Sequence, residues 1–244
     1  MKERFIYGKN PIKEKLKVVK KGVLNILKDS NLNHYKEIIE KAKSKNIEIV
    51  YLDRESFLKF FPDISEKIVL KIDEDYAKIY SEDEFLNEIE NNSNIKNIII
   101  LDGVKDVGNF GAIIRSALLF DIDFIVLPKD NSAPINEVVA KRSAGAISFM
   151  NISYVTNIVR VIEFLKKNGF WVYAASKNGK PLKDFNFSEK NVIVFGEEGR
   201  GIRRLVKENC DDIITIETND KLDSLNLSVS AGIILYELRK KAIN

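Results

Sequence analysis

Three short stretches concentrate the residues that could do chemistry. The first, Leu101-Asp-Gly-Val-Lys-Asp-Val-Gly-Asn-Phe-Gly-Ala-Ile-Ile-Arg-Ser116, leaves an apolar strand, turns through Gly108 and Gly111 and enters a helix. Asn109 stands where a helix N-cap is expected, and Arg115 follows more than one turn later. A capped helix with a salt-bridged arginine accounts for this stretch as well as a polar site does. It lacks the G-x-G-x-x-G spacing of an ordinary dinucleotide fold. The second, Val192–Ile202, runs a strand into Gly196, then Glu197 and Glu198, then Gly199 and Gly201. Glycines there let a ligand approach the backbone. Two adjacent carboxylates repel a phosphate, and they equally suit the N-terminus of the helix that follows. The third, Ile216–Ala231, sets Ser224, Asn226 and Ser228 at the start of an apolar helix. Capping uses one or two of them and leaves the rest to hold a substrate.

The elements that must position these residues read as strands alternating with helices from Ile98 onward. Apolar strands are expected at Ile98–Leu101, Phe124–Leu127, Ser148–Val155, Phe170–Ala174, Val192–Phe195 and Ile213–Ile216. Helices are expected at Gly111–Phe120, Asn136–Ser143, Asn157–Lys167 and Gly201–Asn209, with a long one from Asn226 to the C-terminus. Continuous apolar strands with intervening helices predict a mostly parallel sheet covered on both faces. Before them, residues 1–72 read as a small α/β unit. Its helices fall at 10–20, 35–44 and 55–60, and its strands at Gly22–Leu27 and Ile47–Tyr51. Residues 73–96 are acidic and read as a linker, with Glu82–Glu90 able to form a helix.

Composition narrows the chemistry. The single cysteine, Cys210, excludes an intramolecular disulfide and a Cys-rich zinc site, and the single histidine, His34, argues against a His-ligated metal centre or a Ser-His-Asp hydrolase. No metal is expected. The absence of a membrane-length apolar run and of a signal-peptide layout gives the cytoplasm as the expected compartment. Residues 1–71 carry 17 Lys and Arg against 10 Asp and Glu, a bias that suits a polyanion or simply a solvated surface.

Taken together and in order, the three stretches resemble the signature motifs of the SpoU class (TrmH family) of RNA 2′-O-ribose methyltransferases. Asn109-Phe-Gly111 with Arg115 resembles the first motif, Gly196-Glu-Glu198-Gly199 with Gly201 the second, and Ser224-Leu-Asn226 with Ser228 the third. Leu127–Ala133 resembles the family's second-strand exit, and Phe5–Ile12 the start of its small RNA-binding domain. One departure stands at Ile64–Leu70, where relatives often carry a His-Gln-Gly-type segment.

The resemblance implies an α/β fold: a C-terminal, trefoil-knotted (SPOUT-like), mostly parallel sheet flanked by helices over residues 97–244, preceded by a small N-terminal L30e-like α/β domain. It implies S-adenosylmethionine as methyl donor, held at Gly196, Ile216 and Leu225 and near Ala175. Arg115 would serve at the nucleophilic hydroxyl, with Asn109, Glu198, Ser224 and Asn226 orienting it and the ribose. A homodimer is expected, its site built from both subunits. The expected substrate is structured RNA, large-subunit ribosomal RNA first and transfer RNA as the alternative. A non-catalytic RNA-binding or ribosome-assembly protein, or a methyltransferase acting on a base or a protein, are the competing readings.

Overall fold

The structure is a computed structural model that describes residues 3–219 and 224–243. The chain forms two compact units. The first holds β1 (Arg4–Tyr7), α1 (Lys9–Val18), β2 (Gly22–Leu27), α2 (Lys36–Ser44), β3 (Glu48–Leu52), α3 (Arg54–Phe60) and β4 (Ile68–Ile72). Its sheet has the order β1-β4-β2-β3, antiparallel except for the β2–β3 pair. Ile12 and Leu16, one helical turn apart on α1, are fully buried. Strands β1 and β4 were not expected from the sequence. They are short, and only pairing with each other and with β2 gives them a sheet.

The second unit begins at Ala77, inside the stretch expected to be a linker. Residues 73–96 contain β5 (Lys78–Tyr80) and α4 (Glu82–Asn91). Helix α4 opens with a full capping box, Ser81 accepting from the Glu84 amide while the Glu84 carboxylate accepts from the Ser81 amide. Phe85 and Ile89, four residues apart, are buried in the core. Five of the eight acidic residues that suggested a linker, Glu82, Asp83, Glu84, Glu88 and Glu90, lie on this helix beside its buried Phe85 and Ile89.

The remaining elements are β6 (Asn97–Asp102), α5 (Val107–Leu119), β7 (Phe124–Pro128), α6 (Glu137–Arg142), β8 (Asn151–Val155), α7 (Ile158–Lys167), β9 (Trp171–Pro181), β10 (Asn191–Gly196), α8 (Arg204–Glu208), β11 (Asp212–Thr215) and α9 (Leu227–Ile243). Seven strands form one parallel sheet in the order β11-β9-β10-β6-β7-β8-β5. The central strands β7 and β10 are buried end to end, and β6 from Ile98 onward, as a sheet covered on both faces requires. Helix α7 turns Ile158, Val161, Ile162 and Leu165 to the core. Each such side chain contributes on the order of 1.5–3 kcal/mol.

Helix α6 departs from the expected domain plan. Residues Ile135–Ser148 group with the first unit, not the second. There α6 packs on β1 and α1. Lys141 pairs with Glu66 and lies over the Tyr7 ring. The chain thus leaves the large sheet after β7, completes the first unit, and returns for β8. Among the described residues no helix is long and apolar enough to cross a membrane.

Candidate active site

Helix α5 corrects one expectation at once. Its N-cap is Asp106, whose carboxylate accepts the Asn109 amide at 2.6 Å. Asn109 is therefore the third residue of the helix, and its side chain is free for other work. It is buried, and it reaches both other motifs. Asn109 Nδ2 donates to Glu198 Oε2 at 2.9 Å, and Asn109 Oδ1 accepts from Asn226 Nδ2 at 3.0 Å. Asn226 in turn caps α9. Its Oδ1 accepts the Ser228 amide at 2.9 Å, the Val229 amide at 3.3 Å and the Ser228 hydroxyl at 2.6 Å. Three segments far apart in sequence meet through two amide side chains.

Beside Glu198, the second motif forms a tight loop. Glu197 and Gly201 exchange backbone hydrogen bonds of 3.1 and 2.8 Å. A Cβ at Gly196 would overlap the Gly201 carbonyl carbon and the Ile202 nitrogen, so only glycine fits. Gly201 has φ of 73°, a left-handed conformation that other residues adopt at a cost. This return loop also explains why α8 is shorter than the helix expected at Gly201–Asn209. Behind the loop, Asp102 ends β6 with its carboxylate fully buried. It accepts the Arg203 amide at 2.9 Å, Nε at 2.7 Å and Nη2 at 2.6 Å. A buried carboxylate needs such a partner, and this one ties the loop to the sheet. Sequence reading assigned Asp102 and Arg203 no role. The available signal was a carboxylate closing an apolar strand.

The loop forms one wall of a cleft of about 540 Å³ at the carboxyl ends of β10 and β11 and the middle of β9, where β9 leaves its pairing with β10. Open α/β sheets bind ligands at this end, and the volume suits a small cofactor. All four expected cofactor residues line it: Ala175, Gly196, Ile216 and Leu225. Glu198 and Ser224 line it too. Ser176, Thr218, Arg200, Ser230 and Ile234 complete a wall that sequence reading did not foresee. Apolar side chains beside hydroxyls and open glycine backbone match an adenosine with an amino-acid arm. Ser224 faces the cleft, while the capping falls to Asn226.

Arg115 is the one expected catalytic residue that does not join this group. It lies six residues after Asn109, so α5 turns it roughly 240° around the axis. It is exposed, does not line the cleft, and has no hydrogen-bond or ion-pair partner among the described residues. Leu119, one turn further on, is 65% exposed. On α9, which packs against α5, Val229, Ile233 and Tyr236 are also exposed.

The lone thiol takes no part. Burial and the neighbouring Asp211 push the pKa of Cys210 up to about 12, leaving it protonated at neutral pH. Among the described residues no group of three or more His, Cys, Asp or Glu side chains could hold a metal ion.

Comparison with known proteins identifies the family. The SpoU rRNA Methylase family matches residues 96–236. A tRNA/rRNA methyltransferase of Borreliella burgdorferi is 34% identical over 212 residues, covering 84% of this chain and 93% of its own. The 23S rRNA (guanosine-2′-O-)-methyltransferase RlmB of Coxiella burnetii is 30% identical over 243 residues, covering 98% and 96%. Among solved structures, the SpoU methyltransferase AviRb of Streptomyces viridochromogenes, in complex with AdoMet, superposes with a TM-score of 0.76. It is 18% identical and covers 99% of this chain and 91% of its own. The match spans the three motifs and the sheet that carries them, and the chain belongs to the SpoU rRNA methylase family as an RNA methyltransferase.

Proposed function

We propose that the protein transfers a methyl group from S-adenosylmethionine to a ribose 2′-hydroxyl of large-subunit ribosomal RNA, and that it does so as a homodimer. The observation that carries the reading is the meeting of Glu198, Asn109 and Asn226 beside the cleft. The near full-length likeness to a 23S rRNA guanosine-2′-O-methyltransferase supports the substrate. Ribosomal RNA is modified inside the cell, and we keep the cytoplasm as the site of action. The knotted threading and the L30e-like character of the first unit belong to the same proposal.

Ala175, Gly196, Ile216 and Leu225 would hold the donor, which supplies an electrophilic methyl group on a sulfonium. The protein's own work is on the hydroxyl, a weak nucleophile that must lose its proton. Glu198, Ser224 and the two asparagines orient the ribose, and holding it in line supplies much of the rate. Arg115 stabilises negative charge developing on the oxygen; with an ordinary pKa above roughly 12 it is better suited to that than to acting as a base. Exposed in its own chain, Arg115 completes the site of a second copy. The exposed apolar residues on α5 and α9, Leu119, Val229, Ile233 and Tyr236, supply the surface such a dimer needs.

The first unit would grip the RNA. A hollow of about 370 Å³ there is lined by Lys9, Asn31, His34, Tyr35 and Lys67 among others, groups that suit phosphates and bases.

The test is methyl transfer from labelled S-adenosylmethionine to total RNA from cells lacking the gene, with the product mapped. Label on a 2′-oxygen of large-subunit RNA is the expected result. Label in transfer RNA would overturn the substrate, and RNA binding without any transfer would overturn the chemistry.

A further inference from the structure

The hydrogen bonds between the three motifs have a direction, and the backbone sets it. Asn226 Oδ1 receives the amides of Ser228 and Val229. A backbone N–H can only donate, so the atom facing the start of α9 must be the oxygen. The other end of that side chain is then the NH2, which donates to Asn109. Asn109 must receive with its oxygen and so presents its own NH2 to Glu198. At the end of the chain only an acceptor fits.

We propose that Asn226 and Asn109 form a directional relay that holds Glu198 as an acceptor for the hydrogen of the substrate hydroxyl. This rests on the reading above, in which that hydroxyl is the nucleophile. One carboxylate oxygen, Oε2, is occupied by Asn109. Glu198 Oε1 has no partner among the described residues, and Glu198 lines the cleft. An acceptor at that place turns the hydroxyl hydrogen toward Glu198, which would take that proton as the oxygen lone pair bonds the methyl carbon and the methyl–sulfur bond breaks with its electron pair left on sulfur. Glu197, the other carboxylate of the motif, is paired instead with Lys105 at 3.2 Å and makes no hydrogen bond to either asparagine. Asn109 and Asn226 are positioning residues: they act on the substrate through Glu198.

The relay can be run backwards. Asn226→Asp keeps a good helix cap, but the second oxygen of the new carboxylate can only accept. Asn109 must then turn its NH2 toward that carboxylate, which sets its own oxygen against Glu198. Glu198→Gln alone keeps the forward relay but offers the substrate an NH2 in place of an acceptor. Combining the two substitutions completes the chain in reverse. The NH2 of the new glutamine meets the Asn109 oxygen, and the glutamine's carbonyl oxygen faces the substrate.

The experiment measures melting temperature and turnover of the full-length protein for the wild type, both single variants and the double variant. Asn226→Asp is expected to melt a few degrees lower, about 2–4 °C, and the double variant to recover that loss. Each single variant is expected to lower kcat by roughly 10²-fold, with KM for S-adenosylmethionine little changed, and the double variant to exceed either by about tenfold. A purely structural role for the asparagines gives additive losses. Additive melting shifts would overturn the relay. Recovered stability without recovered turnover would overturn the role of Glu198 as acceptor. Melting needs no substrate, so a wild type that methylates no RNA would count against the proposed function while the melting cycle still judged the relay.

Discussion

Asn109 and Arg115 sit on one helix, six residues apart, and the structure treats them in opposite ways. Asn109 is buried, with both ends of its amide engaged by other motifs. Arg115 points outward beside exposed apolar residues and has no partner among the described residues. The inward side of α5 is engaged within one chain, and the outward side is exposed. Under the proposed dimer, a helix with one such residue on each face serves two clefts, one in its own chain and one in a copy.

The inward side should break most completely at Gly196. An alanine there would push a methyl group into the Gly201 and Ile202 backbone, which cannot move aside as a side chain can. Gly196→Ala should abolish S-adenosylmethionine binding in calorimetry and cost about 1–3 kcal/mol of stability from overpacking. Near-normal affinity would show that the return loop does not shape the cleft.

The outward side should break without any loss of fold. Arg115→Ala is expected to lower kcat roughly 10²- to 10³-fold, typical of removing one group that stabilises developing charge. Because the residue is exposed, the melting temperature should hold. Mixing Arg115→Ala subunits with Glu198→Ala subunits sharpens the comparison. If each face serves a different cleft, mixed dimers regain activity through one intact site. If both residues serve the same cleft of one chain, every mixed dimer stays inactive.

How much of this was legible in the sequence depends on what carries each feature. The large sheet was legible because its strands are unbroken apolar runs, such as Ile98–Leu101 and Val192–Phe195. That Gly196, Ile216 and Leu225 line one cleft was legible only through the family resemblance, since no local pattern distinguishes Ile216 or Leu225. Helix α4 was half hidden because its acidic face outweighed Phe85 and Ile89, although Ser81 and Glu84 already spelled a capping box. Asn109 was misread as a cap because Asp106, three residues earlier, is an equally good one, and only the tertiary partners of Asn109 decide between them. The grouping of α6 with the first unit could not be read at all, because it depends on packing against β1 and α1.

That grouping changes how the RNA-binding role must be tested. Deleting residues 1–72 would strip α6 of the elements it packs on, so a loss of function would not isolate RNA contact. Charge reversal is cleaner. Lys9→Glu with Lys67→Glu should weaken RNA binding about uniformly across sequences and reduce the slope of log K against log salt by roughly 2. S-adenosylmethionine affinity should not change, since neither lysine lines the cleft of the second unit. An unchanged salt slope would remove this hollow from the RNA interface.

The smallest expected effect comes from Cys210, which belongs to neither face of α5. Its burial favours the neutral thiol and raises its pKa to about 12. At pH 8 the thiolate fraction is then on the order of 10⁻⁴, against roughly 0.2 for an exposed cysteine of pKa 8.5. Alkylation of the folded protein should be about 10³-fold slower than that of the unfolded chain, and it should proceed through opening of the structure around α8. The sign of the pH dependence follows from the same shift. Below the unfolded pKa both states hold the proton and the group has no effect. Between roughly 8.5 and about 12 the unfolded thiol ionises while the folded one does not, so stability falls as pH rises through that window. Cys210→Ser should flatten this alkaline loss and leave methyl transfer at neutral pH unchanged. A marked fall in turnover would mean that the region around α8 and Cys210 shapes the return loop more directly than its hydrogen bonds indicate.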